Sequence, residues 1–242
     1  MAVGLVAVAG IVGVRAVGGG GDAGGPVAQD RPGTVLLVPG YGGSRDALST
    51  LADRLRRAGR EAEVLTLPGD GTGDLNAQVR VLDQAAEAAV AAGAPSVDVI
   101  GYSAGGVVAR LWVSGDGGRL VRRVITLGSP LHGTEIAAAG GVLAPGACPV
   151  ACQQLAPGSQ LLNEIDGLPL PVPWLSVWTE NDQTVVPPDS ARLSGAVNVS
   201  LQQVCPAAVV AHAQLPTDPL VTRIVLRAVG AGPLTAPTAA DC

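Results

Sequence analysis

The stretch VDVIGYSAGGVVARLW, Val97 to Trp112, decides the fold. Val97, Val99 and Ile100 form a β-prone run that leads into Gly101-Tyr102-Ser103-Ala104-Gly105-Gly106. Val107, Val108, Leu111 and Trp112 follow in a segment compatible with a helix. A strand, a G-x-S-x-G turn and a helix in succession are the context of a nucleophile elbow, in which a strained turn lifts a serine hydroxyl to the top of a sheet. Glycine is required on either side of Ser103 because a Cβ there would meet the neighbouring strand or helix. Ser103 would also lie beside a helix N-terminus, whose free N–H groups and dipole favour negative charge.

The segments on both sides repeat one theme. Upstream, Thr34 to Val38 (TVLLV) is a continuous apolar run, as expected of a strand buried on both faces of a parallel sheet, and it ends in PGYGGS, residues 39–44. Leu48, Leu51, Ala52, Leu55 and Ala58 then recur at helical spacing up to Gly59. Glu63 to Leu67 reads as a second strand, residues 69–74 as a loop, and Leu75 to Ala92 as an Ala-rich helix. Downstream, Arg123 to Leu127 is a strand that ends in GSPLHGT, residues 128–134. Residues 135–171 read as irregular, apart from a short helix over Gln160 to Ile165. Trp174 to Trp178 and Ala196 to Leu201 are the last two strands, and Pro219 to Val229 is the closing helix. Strand–helix alternation predicts an α/β fold with a mostly parallel sheet and helices on both faces. Ligands in such sheets bind beyond the carboxyl ends of the strands, so PGYGGS, GYSAGG and GSPLHGT are expected to meet there.

A serine hydroxyl is a weak nucleophile at neutral pH and needs an adjacent base that an acid orients. The chain has two histidines, His132 and His212. His212 follows the last strand and Asp182 the strand before it, which gives the order Ser103, Asp182, His212. That order favours His212 over His132, which is expected to support a turn or the pocket wall. Asp182 lies further into its loop than Glu180 and is the preferred acid. An oxyanion hole needs two donors: the N–H of Ala104, just after the serine, and the backbone N–H of Tyr41 in the first loop. Leu131, Ile136, Val142 and Leu143 are candidates for an apolar pocket wall or, equally, for plain core.

Composition narrows the class. The 242 residues suffice for one domain with a full core; 48% are hydrophobic and 14% charged, which excludes disorder. A net charge of −5 without a basic run gives no support for nucleic-acid binding. The four cysteines, Cys148, Cys152, Cys205 and Cys242, allow three pairings, and the histidines do not sit at metal-ligand spacing from them. Residues 2–14 are an uninterrupted apolar run, short for a membrane span and of the length of a signal-peptide core, although no Arg or Lys precedes it. Residues 1–30 are therefore read as a signal peptide or anchor with a Gly-rich linker, residues 31–230 as the catalytic domain and residues 231–242 as a tail. Secretion follows as the expectation.

The segments PGYGGS, GDGTGDL, GYSAGGVVARL, LGSPLHGT, CPVACQQLAPGSQLL, WTENDQTVVPP and QQVCPAAVVAHAQL, in that order, resemble the small class 2 bacterial lipases and esterases of the α/β-hydrolase superfamily, of the type found in actinobacteria and bacilli. The resemblance runs from about Thr34 to Val229. It implies an α/β-hydrolase fold, a triad of Ser103, Asp182 and His212, and an oxyanion hole from Tyr41 and Ala104. It also implies disulfides Cys148–Cys152 and Cys205–Cys242, the latter tethering the tail. Pro39 stands where many lipases place a supporting histidine. A lipid or small ester is the implied substrate, with contact at a membrane or lipid interface, no metal or organic cofactor, and a monomeric chain. The same machinery also serves thioesterases and acyltransferases, and the fold also occurs in non-catalytic binding proteins.

Overall fold

The structure, a computed structural model, describes Met1, residues 27–143 and residues 145–242. The signal or anchor reading falls on residues that lie outside those described, apart from Met1 and the last few residues of the linker. The strands are β1 (Thr34–Val38), β2 (Ala62–Val64), β3 (Val97–Tyr102), β4 (Val121–Leu127), β5 (Trp174–Trp178) and β6 (Val197–Ser200). They form one sheet in the order β2-β1-β3-β4-β5-β6, and every neighbouring pair is parallel. The helices are α1 (Asp46–Arg57), α2 (Leu75–Ala91), α3 (Ala104–Ser114), α4 (Glu135–Leu143), α5 (Val150–Gln154), α6 (Gln160–Ile165), α7 (Leu201–Val204) and α8 (Pro219–Ala228).

The period-2 geometry of a strand sends alternate side chains to opposite faces, and both faces are covered. Leu36 and Val38 of β1 pack with Leu75, Leu82 and Ala86 of α2 and with Val107, Val108 and Trp112 of α3. Val35 and Leu37 pack instead with Leu48, Leu51 and Leu55 of α1 and with Val221, Ile224 and Val225 of α8. Helix starts follow their caps. Asp74 accepts a hydrogen bond from Asn76 N at 3.0 Å, and Asp218, followed by Pro219, accepts from Leu220 N at 2.8 Å and Val221 N at 3.0 Å. The chain winds outward in opposite directions from β1 and β3, so the crevice between their carboxyl ends is the topological switch point.

Three segments differ from the sequence expectation. β2 stops at Val64, because after Leu65 N donates to Leu37 O at 2.9 Å the chain leaves the ladder. Residues 135–154, expected to be irregular, contain α4 and α5, two short helices, and the Cys148–Cys152 bond ties α5 to the residues just before it. β4 begins at Val121 and takes Arg122 and Arg123 into the buried sheet.

Acceptors surround those arginines in the core. Arg122 grips buried Asp98 on β3 through Nε at 2.8 Å and Nη2 at 2.6 Å. Its remaining donors reach Val229 O, Gly230 O and Gln29 O, each at 2.8 Å. Arg123 reaches Ala228 O at 2.7 Å and Gly232 O at 2.6 Å. Most of these carbonyls are at or just past the end of α8, where the helix dipole also favours a cation. Asp98→Ala, which strands a buried guanidinium, is expected to lower stability by about 3–5 kcal/mol. Removing Glu87 from its exposed pair with Arg119 should leave the urea midpoint nearly unchanged. Urea unfolding of the two variants checks this contrast.

Candidate active site

The elbow forms where β3 hands over to α3. Ser103 has φ 52° and ψ −127° and, among the described residues, is the non-glycine residue at positive φ. Backbone in that region is strained for an L-residue and persists only where its surroundings enforce it. Here the enforcement is steric closeness. A Cβ on Gly105 would overlap the Val38 and Pro39 carbonyl oxygens, and one on Gly101 would lie 2.5 Å from Gly106 Cα. β1, β3 and α3 thus pack backbone to backbone around the serine. Ser103 N donates to Leu127 O at 2.9 Å, which fixes the turn to β4. The first loop closes on the same point, since a Cβ on Gly40 would sit 2.9 Å from Ser103 Cβ.

Asp182 and His212 come from the loops after β5 and β6 and form a buried pair, with His212 Nδ1 to Asp182 Oδ2 at 2.6 Å. The other carboxylate oxygen accepts from Thr184 N at 2.9 Å and Val185 N at 2.8 Å. Asp182 is thereby held at one orientation, with one oxygen left for the imidazole. Gln202 stitches the loops together, donating to Thr179 Oγ1, Asn181 Oδ1 and Ala208 O at 3.2, 2.9 and 3.0 Å. The Nδ1 contact leaves Nε2 for other partners. Among the described residues Ser103 Oγ makes no hydrogen bond to His212; such contacts commonly tighten only when substrate is bound.

The other candidates separate cleanly. Glu180 is exposed and accepts from Ser200 Oγ at 2.9 Å, away from the imidazole. His132 Nδ1 lies 3.1 Å from Ser190 O, and the ring lines a small hollow with Asp166 and Leu162. Among the described residues neither Ala104 N nor Tyr41 N donates to a protein acceptor, so both N–H groups are free for a ligand. No cluster of His, Cys, Asp or Glu among the described residues could hold a metal ion. The disulfides are Cys148–Cys152 and Cys205–Cys242.

A cavity of about 180 Å³ opens at the serine. Its walls are Tyr41, Ser103, Pro130, Thr134, Ile136, Ala137, Cys152, Leu155, Thr184 and Val185. Of the expected wall residues Ile136 is present. Leu131 faces the hollow of His132, and Val142 points to solvent. The side chain of Leu143 lies outside those described. Larger clefts occur elsewhere, one of about 500 Å³ beside Arg60 and Gly93, but they contain none of the elbow residues.

Two contributors were not read from the sequence. Tyr102, the residue before the serine, stacks on His212 with ring centroids 5.2 Å apart and donates its hydroxyl to His212 O at 3.3 Å. Gly128, at φ 55°, lies against Leu215 and the Asp182–His212 pair: a Cβ there would lie 2.5 Å from Leu215 Cδ1, 3.1 Å from His212 Nδ1 and 3.2 Å from Asp182 Oδ2.

A parallel sheet wound outward from β1 and β3, with a serine elbow after β3, is the α/β-hydrolase fold. Solved structures agree on that fold. The chain is similar to Aspergillus fumigatus lipase B (TM-score 0.71, 19% identity), matching over 88% of its own length and 56% of that chain. It is similar to the mature form of Bacillus licheniformis lipase BlEst2 (TM-score 0.68, 19% identity) over 83% of its own length and 93% of that chain. It is also similar to MGS-MChE2, an α/β-hydrolase enzyme from a lagoon-sediment metagenome (TM-score 0.55, 16% identity), over 81% and 89%. A family model described as a PGAP1-like alpha/beta domain matches residues 31–143. No curated protein matches the chain.

Burial, and secondarily the charge of Asp182, push the Tyr102 phenol from 10.0 up to about 12. The folded state therefore keeps a proton that the unfolded chain releases above pH 10, and stability should fall as pH rises from about 10 towards 12. Tyr102→Phe is expected to flatten that fall and Tyr41→Phe to leave it, as measured by alkaline urea titrations.

Proposed function

We propose that the chain is a serine hydrolase of the small class 2 lipase kind, cleaving carboxylic esters of lipids or acylglycerols through an acyl-serine intermediate. The observation that carries this reading is the buried Asp182–His212 pair, 2.6 Å apart, at the same sheet edge as a serine held at positive φ. Burial, a short contact and backbone strain at one place support a serine nucleophile with an oriented imidazole base.

The reaction follows from the geometry. His212 Nε2 takes the Ser103 proton as Oγ attacks the ester carbonyl carbon. The carbonyl π electrons move onto oxygen, and the Ala104 and Tyr41 N–H groups stabilise that oxyanion. One such donor is typically worth about 3–4 kcal/mol in the transition state. The tetrahedral intermediate collapses, the bond to the alcohol oxygen breaks, and His212 returns the proton to the leaving alcohol. Water, deprotonated by the same imidazole, then attacks the acyl enzyme, releasing the acid and restoring the serine. Asp182 fixes the imidazole tautomer and balances its cation throughout.

Other features support the wider reading. The wall around Ser103 is apolar, as an acyl chain requires. Tyr41, Ile136, Val142 and Val150 are large hydrophobic residues left exposed on the first loop and on α4 and α5, which suits contact with a lipid surface. Both disulfides fit an oxidising, extracellular setting. Among the described residues no helix is long and apolar enough to cross a membrane.

Ser103→Ala and His212→Ala are each expected to reduce ester kcat by about a millionfold. Asp182→Asn should reduce it by about 10⁴ through the wrong tautomer. Hydrolysis of 4-nitrophenyl butyrate measures all three, with circular dichroism as the check on folding. Undiminished turnover by Ser103→Ala would overturn the assignment.

A further inference from the structure

The cavity at Ser103 is small, lopsided and firmly walled, and those properties bear on what the site accepts. It includes Ser103 and Tyr41 but not His212. The leaving alcohol must stand where the imidazole can hand it a proton, so the alcohol belongs on the His212 side. The cavity, which opens at the serine without touching the imidazole, is left for the acyl chain. Pro130, Ile136, Ala137, Leu155 and Val185 give it an apolar surface. Thr134 adds a methyl, because its hydroxyl is used internally: it donates to Thr184 O at 3.0 Å and accepts from Val186 N at 3.0 Å.

The wall opposite Pro130 and Val185 comes from α4 and α5, and it is braced. Ala151 N donates to Thr72 O at 3.1 Å, and Gln154 bridges Asp74 Oδ1 at 2.7 Å and Leu75 N at 2.9 Å. Leu155 O accepts from Thr134 N at 2.9 Å. The Cys148–Cys152 bond ties the first turn of α5 to the residue before its cap, and Cys152 Sγ lies 3.8 Å from Ala137 O. A Cβ on Gly140 would come within 3.4 Å of Cys152 Sγ, so α4 lies close against the disulfide. These contacts tie the α5 side of the cavity to α2 and to the loop before α4.

We infer that the Cys148–Cys152 disulfide and Leu155 form a fixed stop that limits the acyl chain to about six carbons, making the preferred substrates short-chain acyl esters. An apolar cavity of about 150 Å³ takes one benzene, which has six carbons, and the present cavity is about 180 Å³. The inference rests on the ester-hydrolase reading for the chemistry, but the stop is a property of the cavity alone. Up to the stop each added CH₂ should tighten binding about fourfold. Beyond it the chain must turn out past half-exposed Ile136 and gain nothing.

The test is a series of 4-nitrophenyl esters from acetate to decanoate, read in two ways: kcat/KM for the wild-type chain, and Kd for the Ser103→Ala variant by fluorescence titration. Both should rise in affinity or efficiency to about hexanoate and then break. Leu155→Ala should move the break about two carbons longer. Ala137→Leu should move it shorter, and serves if Leu155→Ala does not fold. The paired change of Cys148 and Cys152 to Ser should blur the break, whereas the same change at Cys205 and Cys242 should leave its position alone. A smooth rise through decanoate, or a break that none of these variants moves, would overturn the inference. A break in Ser103→Ala binding with no turnover by the wild type would instead remove the hydrolase reading and keep the stop. Turnover without a break would do the reverse.

Discussion

The closeness of three backbones, β1, β3 and α3, is the constraint from which the rest of the site follows. With no side chain at Gly101 or Gly105, strand and helix approach until the serine between them is forced to positive φ. The strain is local and is offset by packing around it, chiefly by Val107, Val108 and Trp112 on one face and Ile100 on the other. A looser turn would allow Ser103 to relax into an ordinary conformation and withdraw its hydroxyl. The same closeness leaves the first N–H of α3 with no internal acceptor, so in the proposed reaction one arrangement would supply both the nucleophile and a donor for the charge it creates.

Asp182 and His212 are organised differently. Their loops are irregular and are held by hydrogen bonds rather than by steric closeness. Thr184 N and Val185 N occupy one oxygen of Asp182, Gln202 binds the two loops, and Tyr102 supports the histidine from the elbow side. Buried polar groups arranged in this way rigidify when each is satisfied, and here the carboxylate is. Ser103 is thus positioned by packing, while its partners are positioned by polar networks.

Most of the framework was legible in the sequence because it rests on periodicity. TVLLV and the run before Gly101 could be read as strands from their residues alone, and the Ser-Asp-His order separated His212 from His132 before any contact was known. What remained hidden depended on distant partners. Arg122 and Arg123 look like a polar strand boundary until Asp98 and the carbonyls after α8 are seen around them. The segment EIAAAGGVL has no amphipathic pattern, and α4 holds through its packing on the disulfide. Tyr102 occupies the variable position of G-x-S-x-G, where nothing local specifies a role. Leu131 proved to be core and Val142 exposed, because apolar residues without a clear periodicity carry no direction.

The arginine clamp has a bearing on the order in which the molecule can be made. Arg122 on a central strand finds its acceptors 107 and 108 residues later in the chain. During synthesis β4 emerges long before α8, so Arg122 meets Asp98 and Gln29 O first and its last acceptors only when α8 arrives. Arg123 gains the carbonyls of Ala228 and Gly232 at the same point. The end of the last helix is thereby stitched to the middle of the sheet, and loss of that helix would uncover donors on a central strand.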